Sequence, residues 1–79
     1  MATSGTVRLS LEGLESLLAE VTEYYGRYEK HLQKLHRLGR GSEPYRKALA
    51  ELEVAAEVLR TKAEHASLAI DDYVESLPD

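Results

Sequence analysis

The 79-residue chain contains no cysteine, no phenylalanine and no tryptophan, and only two prolines and one methionine. Without cysteine there is no disulfide, no thiolate nucleophile and no cysteine-based zinc site, and composition carries no mark of the redox compartment. Tyrosine supplies all five aromatic residues. No apolar run approaches the roughly 18–20 residues of a membrane span, and no apolar signal-type segment follows Met1. A chain of this length forms one domain at most, too small for a core of more than about 3–5 kcal/mol without staples or partners. Size therefore argues against a pocket-forming enzyme, and no cofactor is expected. What is present is 43% hydrophobic and 30% charged residues, too apolar for a typical disordered segment. A small helical, cytoplasmic protein is the expectation.

The net charge of −4 is unevenly distributed. Residues 27–47 carry Arg27, Lys30, Lys34, Arg37, Arg40, Arg46 and Lys47 against Glu29 and Glu43, a balance of +5. The remainder carries three basic and twelve acidic residues, a balance of −9. One region is basic and the rest strongly acidic.

Residues 1–9 are small, polar or isolated and read as a flexible N-terminal tail, leaving residues 10–79 as a single helical-hairpin domain. Ser10 is placed to cap a helix, with Leu9 and Leu14 spaced as a hydrophobic staple. Apolar residues then fall at Leu11, Leu14, Leu18, Val21, Tyr25, Tyr28, Leu32 and Leu35, in alternating steps of three and four. That is the heptad seam of a coiled coil. Gly39 or Gly41 can close this helix near residue 38.

A second helix is expected from Ser42 or Glu43, with Pro44 in its first turn, where the missing N–H costs nothing. Its seam reads Tyr45, Leu49, Leu52, Ala56, Leu59, Ala63, Ala66, Ile70, Tyr73 and Leu77. Two long helices joined by so short a turn run antiparallel. The fold expected is therefore all-α, an antiparallel hairpin with helices over about 10–38 and 44–77 and a turn at 39–43. Folding at that turn sets Leu32 by Leu49, Tyr25 by Ala56 and Leu18 by Ala63. Ile70, Tyr73, Val74 and Leu77 then overhang, with only Leu11, Leu9 and Val7 to cover them.

Chemistry is sparse. His31 and His36 are five apart and His65 stands alone, so no histidine pair has the i, i+3 or i, i+4 spacing of two ligands on one helical face. Glu12–Glu15 and Glu20–Glu23 lie off the seam, outside any cavity that would split their pKa values. The basic tip could neutralise phosphates, but the acidic balance disfavours nucleic acid, and Tyr28 and Tyr45 fall on the seam rather than on a stacking face.

The surplus is apolar: Leu17, Tyr24 and Leu38 on the first helix, and Val54, Ala55, Val58, Leu68 and Ala69 on the second. Val54, Val58 and Leu68 recur at helical spacing as a second stripe. A two-helix hairpin buries one side of each helix, so such a stripe is either solvent-exposed or covered by another chain. The candidate protein-binding residues are therefore Val54, Val58 and Leu68 on the stripe and Ile70, Tyr73 and Leu77 on the overhang.

Gly39-Arg40-Gly41 in the turn, Tyr45 opening the second helix, and Leu52-Glu53-Val54-Ala55-Ala56-Glu57-Val58-Leu59 together resemble the YscE-like co-chaperones of type III secretion needle subunits in Gram-negative bacteria. The resemblance is concentrated in residues 39–59. It implies a non-catalytic protein that pairs with a larger helical-repeat chaperone and keeps the needle subunit soluble before export. Its motif positions include Val54, Ala55, Val58 and Leu59. The competing expectation is a structural hairpin that self-associates into a four-helix-bundle dimer. A nucleic-acid-associated protein using the basic tip stands third.

Overall fold

A computed structural model describes residues 10–78 as two α-helices and a turn. Helix α1 spans Leu11–His36 and helix α2 spans Glu43–Ser76. They pack against one another as an all-α hairpin with no strand among the described residues. The proposed tail at residues 1–9, with Leu9 and Val7, lies outside the described residues.

Each helix begins on a serine. Ser10 has extended backbone, and its hydroxyl accepts the Gly13 N–H at 3.0 Å. Ser42 does the same for the Tyr45 N–H at 3.2 Å, and its own hydroxyl donates to the Gly39 carbonyl at 2.7 Å. Both caps satisfy backbone donors that the first helical turn leaves unpaired. Helix α1 ends two residues earlier than its apolar pattern suggests. The N–H groups of Arg37 and Leu38 donate three residues back, to Lys34 and Leu35, which tightens the last turn and stops the helix.

Gly39–Ser42 form the reversal. The Ser42 N–H donates to the Gly39 carbonyl at 3.1 Å, and Gly41 lies at φ +78° while Arg40 keeps a negative φ. That is a type II turn, whose third position requires the left-handed conformation that glycine adopts freely. Of the two candidate glycines, Gly41 takes the special conformation, and it does so inside the turn rather than at the helix end.

The molecule is a rod. Its extents are 61 × 17 × 16 Å and its radius of gyration is 18.0 Å, against about 12 Å for a compact domain of this length. Burial is correspondingly thin. Five described apolar residues are buried, namely Leu14, Leu35, Ala48, Ala66 and Ala69, and none is buried completely.

The seam between the helices is rotated from the expected one. On α1 the inward residues are Leu14, Leu17, Val21, Tyr24, Tyr28, His31 and Leu35, with Leu38 continuing the row into the turn. On α2 they are Tyr45, Ala48, Leu52, Ala55, Leu59, Lys62, Ala66, Ala69 and Tyr73. Both series keep steps of three and four. One row of each helix matches expectation: Leu14, Val21, Tyr28 and Leu35 on α1, and Tyr45, Leu52, Leu59, Ala66 and Tyr73 on α2. The second row is half-buried only at Leu32 and Ala56. Leu11, Leu18, Tyr25, Leu49 and Ile70 are exposed, and Leu17, Tyr24, Ala55 and Ala69 stand in the seam instead.

The rotation has a steric and an electrostatic reason. It brings the small residues Ala48, Ala55 and Ala69 inward, which lets the helices approach closely. It also aligns Glu20 with Lys62, at 3.2 Å, and Lys34 with Glu51, at 3.4 Å, along one flank. The expected pairing register survives within about one helical turn, because these bridges join positions close to those that folding at the turn places side by side.

Candidate protein-binding surfaces

The rotation makes the two flanks of the hairpin chemically different. One flank carries charged pairs along its length. Besides the two interhelical bridges, the Arg27 guanidinium lies 4.6 Å from the Tyr24 ring centroid and Lys62 Nζ lies 5.3 Å from it. Arg27 is also held by Glu23 at 2.6 Å, four residues back on the same helix. Cations over an aromatic face and paired with carboxylates hold their alkyl stems against the seam, covering it without burying a charge.

The opposite flank is apolar. On α1 the row Leu11, Leu18, Tyr25 and Leu32 runs along it, and on α2 the row Leu49, Ala56, Ala63, Ile70 and Leu77. Residues seven apart on a helix share a face, so each row stays on one side for its whole length. Leu18, Val21, Thr22, Ala63, Ala66, Ser67 and Ile70 line a shallow groove of about 420 Å³ midway along. Tyr25 donates its hydroxyl to Glu29 at 3.0 Å, and that carboxylate raises the Tyr25 pKa above its ordinary value, first through the hydrogen bond and then through charge.

The six sequence candidates fall on different surfaces. Val54 and Leu68 are the most exposed large apolar side chains, at 63% and 64%, and they point outward beside the charged flank. Val58 is half-buried. It shares a slot of about 360 Å³ with Val54, Tyr24, Arg27, His31, Glu51 and Ala55. Ile70 and Leu77 belong to the apolar flank, and Tyr73 is half-buried in the seam. The structure thus joins Val54 to Val58 and separates both from Ile70 and Leu77. Val74 and Leu77 of the overhang are both exposed.

Sequence reasoning placed Leu11, Leu18, Tyr25 and Leu49 in the buried seam and so missed them as surface. The signal was present: each helix carries three apolar rows where a hairpin seam uses two. His31 occupies a seam row and is half-buried beside the Val58 slot. The basic side chains Lys30, Arg37, Arg40, Arg46 and Lys47 are exposed around the tip, while Tyr28 and Tyr45 are half-buried. Among the described residues no group of three His, Cys, Asp or Glu could hold a metal ion, and no helix is long and apolar enough to cross a membrane.

No protein-family model matches this chain, and neither a curated protein nor a solved structure is significantly similar to it.

Proposed function

We propose that this protein is a non-catalytic, cytoplasmic co-chaperone that binds other proteins through its hairpin. With a larger helical-repeat chaperone it would keep a type III secretion needle subunit soluble before export. Two things support the reading: the Val54–Val58 slot and the resemblance carried by residues 39–59. The slot supports it best. Its floor is apolar, Arg27 and Glu51 stand at its rim, and Val54 projects from it largely exposed. Such a slot accepts one or two aliphatic side chains from a neighbouring helix, the docking mode by which helical partners recognise one another.

The mechanism needs no bond chemistry. A polymerising subunit stays monomeric when its assembly surface is covered, because binding that removes free monomer draws assembly back by mass action. The hairpin contributes a helical edge, begun at two serine caps and flanked by charged pairs, on which the larger chaperone is seated.

A tagged pull-down from the native cell extract tests the reading, with bound proteins identified by mass. Co-recovery of a helical-repeat protein and a small polymerising subunit is expected. Val58→Asp should abolish that recovery while the far-ultraviolet dichroism stays helical. Recovery of the bait alone, or capture that survives Val58→Asp, would count against it.

A further inference from the structure

The apolar flank lies on the other side of the hairpin from the Val58 slot and is not used by the co-chaperone reading. We infer that it binds a second copy of this chain, in an antiparallel arrangement that sets the tip of one hairpin beside the open end of the other. The product is a four-helix bundle with α1 facing α1 and α2 facing α2.

Area supports a stable contact. The row from Leu49 to Leu77 spans about 42 Å at 1.5 Å per residue, and the hairpin is 17 Å wide. That makes about 700 Å² per protomer and about 1,400 Å² in total, inside the range of specific interfaces. Leu18 and Ile70, at 38% and 42% exposed, border the central groove, where side chains of a facing helix can seat. With five buried residues, three of them alanine, the single hairpin has little core of its own and gains most from covering this flank.

Charge selects the occupant and its direction. The tip half, residues 27–56, carries seven basic residues against Glu29, Glu43, Glu51 and Glu53, a balance of +3. The open end, residues 10–26 and 57–78, carries nine acidic residues against Arg60 and Lys62, a balance of −7. The two ends of the hairpin are therefore of opposite sign, which favours a second copy turned end over end. A parallel pair would bring two +3 tips together and two −7 ends together, and like charges oppose that docking.

The absence of cysteine gives a clean test. Sedimentation equilibrium of the full chain should return twice 8.8 kDa at micromolar concentration. A single spin label on Arg40→Cys should report a tip-to-tip distance of about 60 Å in the antiparallel dimer and under about 30 Å in a parallel one. Dissociation should become severalfold easier as salt rises, since screening weakens the end-to-end attraction. Ile70→Asp and Leu18→Asp should yield monomer, and Val54→Asp, on the other side, should leave the dimer intact. If the Asp variants fail to fold, the label on the otherwise native chain carries the test. A monomeric wild type, a short tip-to-tip distance, or a dimer broken by Val54→Asp would overturn the inference. Loss of partner capture with the dimer intact would instead remove the co-chaperone reading and leave a structural hairpin.

Discussion

Gly41 sits at φ +78° with open space around its Cα, whereas Gly26 sits inside α1, also with nothing within 4 Å of where a Cβ would stand. Adding a methyl therefore meets no steric obstacle at either site, and backbone preference alone decides the sign. Gly26→Ala should stabilise the hairpin by about 1 kcal/mol, because glycine is a poor helix former. Gly41→Ala should destabilise it by about 1–2 kcal/mol, the cost of the left-handed region for an L-residue. For a domain of this size the two melting temperatures should move in opposite directions by roughly 4–8 °C per kcal/mol. Thermal melts followed by circular dichroism would show it, and a higher melting point for Gly41→Ala would contradict the turn. Tyr25 offers a pH test at the same scale. Its neutral hydroxyl donates to Glu29, so ionisation would place two anions 3.0 Å apart and the pKa is raised above 10. The folded pKa exceeds the unfolded one, so the small stabilisation is complete below pH 10 and is lost as pH rises through the folded value. Glu29→Gln should lower the Tyr25 titration midpoint toward the ordinary value, read from the ring carbon shift by NMR. An unchanged midpoint would show that the pair does not persist in solution.

At the scale of the helices, the seam depends on small residues on α2. Ala66 is buried against α1, and Ala63, one row over, is exposed on the apolar flank. Ala66→Leu should cost about 1–3 kcal/mol by forcing the helices apart. Ala63→Leu should leave the hairpin's own packing unchanged and alter only what docks on the flank. Chemical denaturation of the pair, paired with sedimentation, separates the two effects; equal destabilisation would mean that the seam is not rotated as described. The interhelical bridges Glu20–Lys62 and Lys34–Glu51 contribute differently. Their side chains are 30–58% exposed, so each adds at most about 0.5 kcal/mol after solvent screening.

The whole molecule is a rod with two unlike sides. A hairpin has no interior remote from solvent, so its binding capacity is spread along its flanks rather than gathered in a cavity. Substitution on these surfaces should therefore separate function from folding. Val54→Ser and Leu68→Ser remove side chains more than 60% exposed and should change stability by less than about 0.5 kcal/mol. Val54→Ser should still weaken partner capture, since Val54 lines the slot and Leu68 does not. Equal loss from both variants would indicate a broader stripe, centred on the outer face of α2.

The helix starts, the Ser10 cap, a glycine-containing turn and the hairpin pairing were legible in the sequence, because each depends on local chemistry, whereas the end of α1 fell two residues before its apolar pattern suggested. Ser10 and Ser42 offer a hydroxyl to exposed N–H groups, Gly41 accepts a positive φ, and the three-four spacing of apolar residues has only one regular interpretation. The rotation of the seam was not legible. Each helix carries three apolar rows, and a repeat of three and four is satisfied by either adjacent pair of them. Apolarity ranks the rows the wrong way, since the rows that pack inward include His31 and Lys62 while the rows left outside are wholly apolar. Only with both helices in place do Ala48, Ala55 and Ala69 turn inward, while Glu20 and Lys34 meet Lys62 and Glu51. Local chemistry thus determined that there is a hairpin. Its tertiary packing decided which apolar row is left outside, because that choice depends on distances between residues far apart in the chain.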